Sequence, residues 1–244
     1  MTALELFQSG RLQEAIQALG EEVRNVPLDT KRRTFLFELL CFAGEFDRAE
    51  KHLDILADSG QGARLGSLLY RSAIHAERTR QKMFLDHSYP PAKINGSLVG
   101  ARNGEPFSEF CDVDERMGGS LEVFVAGSYT WISLEQIASL EIPKPKRLRD
   151  LLWTPATVTT LPAFRSLELG DVLLPALYPL SWKHHDDAVR LGRSTVWEEG
   201  GEHQPAFVPF GQKVFVVNGQ EVPMLELGRI ELTAQRGEER VASA

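Results

Sequence analysis

Asp112 and Asp114 stand one residue apart in the stretch "FCDVDERMGGSLEVFVAGSYTW" (110–131), followed closely by Arg116 and by the pair Gly118–Gly119. Two carboxylates at that spacing can hold a cation, work as an acid/base pair, or brace a turn. A calcium loop does not fit. With Asp112 as position one, Arg116 falls at position five, Met117 where the loop needs Gly, and Val123 where it needs a bidentate Glu. On a strand, alternation puts Asp112, Asp114 and Arg116 on one face and Cys111 and Val113 on the other. A guanidinium on the acids' own face neutralises at least one of them, which suits a brace for the turn at Gly118–Gly119. The alternative is a carboxylate-dependent hydrolase or metal-dependent enzyme centred on Asp112 and Asp114, and it requires both acids to line an open cleft.

"WKHHDD" (182–187) gathers two His and two Asp. Ligands from one segment converge at i, i+2 on a strand or i, i+4 on a helix, whereas adjacent His184 and His185 on a strand point apart, so this reads as a polar loop. His52, His75, His87 and His203 are scattered, Cys41 and Cys111 have neither metal nor redox spacing, and no metal or cofactor is expected. Gly-x-Ser-x-Gly, Walker-type and Gly-x-Gly-x-x-Gly patterns are all absent from the sequence.

The elements that must position these residues divide the chain in two. Residues 1–86 read as helical, with apolar residues recurring at three- and four-residue steps. "SGRLQEAIQAL" (9–19) aligns with "AGEFDRAEKHL" (43–53) at an offset of 34, matching Gly10 with Gly44, Leu12 with Phe46, Ala15 with Ala49 and Leu19 with Leu53. That is the tetratricopeptide period, in which Gly turns the chain between antiparallel helices and Ala lets their axes approach. Residues 87–106, rich in Pro and Gly, read as a linker or interdomain loop. Residues 107–236 read as strand-rich, with a short helix at "SLEQIASL" (133–140) under Ser133 as N-cap, and "RLRDLL" (147–152) as helix or strand. Residues 237–244 read as a disordered tail. The expected fold class is therefore multidomain α+β, a tetratricopeptide-like helical region followed by a strand-rich domain.

A net charge of −7, with most of the excess acid beyond residue 90, excludes nucleic acid as the main partner, because phosphate binding needs a basic surface. No segment approaches the apolar length of a membrane span, and the N-terminal "MTALELFQSGRL" lacks a signal-peptide pattern, so a cytoplasmic protein without membrane insertion is expected. Helical repeats of this kind bind a peptide or helix in a groove. The 34-residue register assigns Lys31, Thr34, Glu38, Cys41 and Phe42 to that groove, followed by Leu65, Leu68, Ser72 and His75.

The run 110–131 resembles the signature block of the ImpE/TagJ (SciE-type) family of type VI secretion accessory proteins, carried here by Phe110, Asp112, Asp114, Arg116, Gly118, Leu121, Glu122, Gly127, Tyr129 and Trp131. "YRSAIHAERTR" (70–80), "LRDLLWTPA" (148–156), "LPALY" (174–178), "RLGRSTVW" (190–197) and "FGQKVFVV" (210–217) agree in order, so the resemblance covers almost the whole chain. It implies an ImpE-type α+β domain over 107–236 and no enzymatic activity. It also implies a cytoplasmic accessory protein that contacts a helix of the small contractile-sheath subunit, with a bearing on sheath handling by the unfoldase ATPase.

Overall fold

A computed structural model describes residues 1–91, 98–167, 169–202 and 204–233. The expected tail at 237–244, His203 and part of the expected linker lie outside the described residues.

Five helices open the chain: α1 (Ala3–Gln8), α2 (Leu12–Asn25), α3 (Thr30–Phe42), α4 (Phe46–Ala57) and α5 (Gln61–Leu85). Thr2 starts α1 through a capping box with Glu5, and Asp29 starts α3 by accepting from the Lys31 and Arg32 N–H groups. Along α2 the apolar stripe Leu12, Ala15, Ile16, Leu19 and Val23 is buried. In α3 the run Leu36–Phe42 is buried without a break, so this helix is covered on every side. Gly10 and Gly44 turn the chain at φ +80° and +71°, a region that only glycine enters cheaply.

Eight antiparallel strands form the main sheet. In spatial order they are β2 (Glu105–Phe107), β1 (Gly100–Arg102), β13 (Arg229–Leu232), β6 (Ile137–Glu141), β7 (Trp153–Thr160), β8 (Gly170–Pro175), β4 (Ser120–Val125) and β5 (Ser128–Ser133). A three-stranded sheet sets β11 (Val214–Val217) between β12 (Gln220–Pro223) and β3 (Phe110–Asp112), and β9 (Thr195–Glu199) pairs with β10 (Phe207–Gly211). The division into helices followed by a strand-rich part is observed, and the class is α+β.

The local differences from expectation have physical causes. "SLEQIASL" is a single 3-10 turn (Leu134–Gln136) leading straight into β6, because Ile137 and Leu140 are drawn into the sheet's core. "RLRDLL" forms a 3-10 turn over Leu148–Leu151. The Pro/Gly-rich stretch expected as a linker holds β1 and β2, paired through Gly100↔Phe107. Within the stretch expected to be strand-rich, "DAVRLGRSTVW" begins with a helical turn, α6 (Asp187–Arg190), under Asp186 as N-cap. The central strand β7 carries Pro155, a residue that inner strands usually exclude. Pairing of β6 with β7 runs only from Thr157 to Thr160, so the missing N–H of Pro155 costs no ladder bond to β6.

One core joins the two parts. The apolar cluster of α1–α5 also includes Phe124, Leu152, Trp153, Leu177 and Leu191 from beyond residue 100. The 182–193 segment closes the helical ends. Asp187 Oδ2 accepts from the Leu12 N–H at 2.7 Å and caps α2, which has no side-chain cap of its own. Arg193 donates to the Phe7 and Gln8 carbonyls at 2.7 and 2.9 Å, at the end of α1. Trp182 packs so tightly on Gly44 that a Cβ there would fall 2.5 Å from its ring.

Candidate functional site

Between α5 and the sheets lies a buried ionic network. Its helical half is Glu77, Arg80 and Gln81, which share one face of α5 at three- and four-residue spacing. Arg80, 1% exposed, grips Glu122 of β4 with both arms of its guanidinium, at 2.7 and 2.9 Å, and donates to Glu77 at 3.1 Å and to the Leu177 carbonyl at 2.9 Å. Lys213 lies between two acids, 2.6 Å from Glu122 and 3.0 Å from Asp112. Tyr178 meets Asp112 at 3.2 Å, Trp131 donates to Tyr129, and Tyr129 donates to Glu122 at 2.5 Å. The indole of Trp153 donates to Glu77 at 3.0 Å.

Asp112 and Asp114 occupy adjacent compartments. β3 ends at Asp112, so the expected strand alternation does not extend to Asp114 and Arg116. Instead the chain turns, with Asp112 accepting from the Asp114 N–H at 2.9 Å and Asp114 from the Arg116 N–H at 3.0 Å. Within this turn Arg116 grips Asp114 side-on, at 2.8 and 2.6 Å, and stacks over Phe84 of α5. Gly118 completes the turn at φ +52°.

The electrostatics follow from charge matching under burial. Burial opposes ionisation of Glu122, yet Arg80 and Lys213 hold it down to about 2. Burial likewise works against Lys213, while Asp112 and Glu122 hold its pKa above the usual lysine value. Asp112 is pushed upward, chiefly by burial and further by Asp114, against the pull of Lys213. The adjoining cavity, between α5 and the loop around Trp182, measures about 20 Å³, room for a water molecule and no substrate. Asp112 and Asp114 are 4% and 1% exposed and line none of the five main clefts, so the hydrolase reading has no open site at these acids. What this arrangement can do is clamp α5 to the sheets.

The expected groove is partly filled by the protein itself. Glu38 is buried against Arg149 at 2.8 Å, and Arg149 also contacts the Tyr70 hydroxyl and ring. Cys41 and Phe42 are core residues, 3% and 1% exposed, and burial drives the Cys41 thiol pKa well up. Glu38, Cys41 and Phe42 therefore do not face an open groove: Arg149 covers Glu38, and Cys41 and Phe42 line the small internal cavity with Leu152, Leu177 and Trp182. Lys31 and His75 are exposed, and Thr34 is half-buried beside Arg147 and Arg149. Ser72 faces the β4–β5 turn, where a Cβ on Gly127 would meet its side chain at 3.4 Å. Leu65 and Leu68 are exposed, together with Leu69. Leu69 and Ser72 edge a cleft of about 510 Å³ between α5 and the sheet, whose far wall includes Phe124, Pro143, Pro155 and Leu173.

His184 and His185 do not diverge. In their loop the rings stack at 4.3 Å, with Glu198 beside them, the one such donor group among the described residues. The Asp186 N–H donates to His184 Nδ1 at 3.0 Å, which leaves Nε2 to carry the proton toward Glu198 at 3.1 Å and not to ligate a metal. Sequence reading had passed over Glu77, Arg80, Tyr178 and Lys213 as site residues. Only Lys213 gave a local signal, as a charge inside the apolar run "GQKVFVV".

Comparison with known proteins agrees with this architecture. Residues 104–231 match the family described as ImpE protein. The chain is 32% identical over 265 residues to the type VI secretion system accessory component TagJ of Pseudomonas aeruginosa, an alignment covering 95% of this chain and 91% of that one. The crystal structure of protein VPA1032 from Vibrio parahaemolyticus superposes with a TM-score of 0.80 at 23% identity, covering 95% of this chain and 97% of its own, a likeness of fold.

Proposed function

This chain belongs to the ImpE family, and on that premise we propose that it is a non-enzymatic accessory component of a bacterial type VI secretion system that docks a helix of the small contractile-sheath subunit. The observation that carries the docking is the apolar face at the start of α5. From Ala73 onward, the ridge through Glu77, Arg80, Gln81 and Phe84 is buried. The same ridge runs on uncovered through Leu69 and Leu65, with Leu68 beside them, each at least half exposed. Leucines at three- and four-residue spacing beside an apolar cleft suit an amphipathic helix that lays its own apolar stripe across them. Lys144, Lys146 and Arg147, which follow Pro143 on the wall of the cleft, favour a helix with acidic flanks.

In this reading the paired helices α1–α2 and α3–α4 form a tetratricopeptide-like scaffold, and the ionic clamp holds α5 rigid against the sheets so that the ridge is preorganised. The setting is cytoplasmic, and binding the sheath subunit would bear on how the unfoldase ATPase handles the sheath. Titration calorimetry of the folded chain with the N-terminal segment of the small sheath subunit tests the proposal. Saturable micromolar binding is expected, and no heat of binding up to high micromolar concentrations defeats the sheath reading.

A further inference from the structure

Arg33 of α3 is a buried cation that pairs with no carboxylate among the described residues. Five basic side chains are buried among the described residues: Arg33, Arg80, Arg116, Arg190 and Lys213. Four of them have a carboxylate within 4 Å, supplied by Glu77 and Glu122, by Asp114, by Asp187, and by Asp112 and Glu122 respectively. Arg33, 6% exposed, has only the neutral Pro27 carbonyl and His52 Nδ1, the latter at 3.2 Å. Removing a charge from water without pairing it costs several kcal/mol, which is why buried charges in proteins are paired or bind ions.

The unpaired guanidinium borders the largest cleft described, a groove of about 800 Å³ between α2, α3 and α4 on the helical region, away from the α5 ridge. Ile16, Val23 and Leu36 give it an apolar floor, while Arg24 and Arg48 stand at its walls. Arg48 has Glu45 as a partner, Arg24 reaches Glu21 only at 3.9 Å, and Glu14, the one acid lining the groove, is engaged by Arg11. Of the charged side chains lining the groove, three are basic and one is acidic. Burial first, then Arg33 and Arg48, lower the His52 pKa to about 4, so the ring stays neutral beside the guanidinium.

We propose that this groove is a second docking site, independent of the α5 ridge, which takes an acidic segment of a partner protein whose carboxylate pairs with Arg33 while a neighbouring apolar side chain rests on Ile16, Val23 and Leu36. A guanidinium fork fits a carboxylate side-on, and a floor of three buried aliphatic residues selects a segment that places an apolar residue beside its acid.

The probe is the blocked dipeptide N-acetyl-Leu-Glu-amide, titrated into the full chain at fixed ionic strength and followed by the NMR signals of the His52 ring and of the α2–α4 amides. Parallel arms use N-acetyl-Leu-Gln-amide and inorganic phosphate. The Glu dipeptide is expected to bind at least ~10-fold more tightly than the Gln dipeptide, the difference a charge-assisted hydrogen bond makes, and to raise the His52 pKa. Arg33→Met is expected to abolish both responses while melting at or above the wild-type temperature, because an uncompensated charge has been removed. Equal binding of the two dipeptides, an unchanged response in Arg33→Met, or a response to phosphate alone overturns the proposal. So does a fall of more than about 5 °C in the melting temperature of Arg33→Met, roughly 1–3 kcal/mol for a chain of this size, because that marks Arg33 as a structural clamp on Pro27.

Discussion

Replacing Arg80 with Met keeps most of the aliphatic stem and removes the centre of the clamp between α5 and the sheets. Four hydrogen bonds disappear: two to Glu122 and one each to Glu77 and the Leu177 carbonyl. Glu122, 1% exposed, is then left with Lys213 and Tyr129 alone, and Lys213 is already shared with Asp112. Breaking a buried pair by removing one partner costs about 3–5 kcal/mol, because the remaining charge stays buried. At the size of this chain each kcal/mol moves the melting temperature by about 2–4 °C, so Arg80→Met is expected to melt roughly 6–20 °C below wild type. Urea unfolding followed by circular dichroism and tryptophan fluorescence reads the free energy. The double variant Arg80→Met/Glu122→Met leaves no orphaned carboxylate in the pair, and is expected to recover about 1–3 kcal/mol relative to the sum of the two single changes. A single variant within ~1 kcal/mol of wild type, or strictly additive effects, refutes the clamp.

Gly44→Ala forces a side chain into φ +71° and against the Trp182 ring, so a loss of about 2–4 kcal/mol is expected, with a changed Trp182 emission; unaltered stability would contradict the close packing of Gly44 on Trp182. Asp114→Ala strands Arg116 under Phe84 and is expected to cost about 1–3 kcal/mol; an unchanged melting temperature would reopen a functional role for Asp114. Asp112 and Glu122 act oppositely with pH. The raised pKa of Asp112 gives a contribution that is present at low pH and lost as pH rises through its folded value, whereas Glu122, held at about 2, contributes above its ordinary 4.5 and loses that contribution as pH falls toward 2. Asp112→Asn is therefore expected to gain stability relative to wild type between pH 4 and pH 7, and urea midpoints at the two pH values that move together would count against this assignment.

The helices were legible because burial writes a three- and four-residue period into them, as at Leu12, Ala15, Ile16 and Leu19, and because Gly10 and Gly44 mark equivalent turns. Most strands were legible from β-branched and aromatic runs such as "LEVFV". β6 was misread because "LEQIASL" satisfies a helical period as well as an alternating one, and only its neighbours β13 and β7 decide between them. The acids at 112 and 114 announced a brace, but their partners did not. Lys213 and Tyr178 approach Asp112 from 101 and 66 residues away, and Arg80 reaches Glu122 across 42. Side-chain pairs at such separations leave no local period. The burial of Glu38, Cys41 and Phe42 was hidden for a similar reason: the 34-residue register fixes which face α3 presents, but not that Arg149 of the same chain packs against it.

The proposed docking of a sheath-subunit helix rests on the uncovered ridge at the start of α5. Leu68, 58% exposed, can be changed to Asp with little effect on the fold, since it packs in no core cluster among the described residues. Calorimetric titration of wild type and Leu68→Asp with the N-terminal segment of the small sheath subunit, at matched melting temperatures, isolates the ridge. Micromolar binding to wild type is expected, with at least ~10-fold weaker binding to Leu68→Asp, the cost of setting a charge against an apolar helix face. Equal affinities for the two proteins would contradict it.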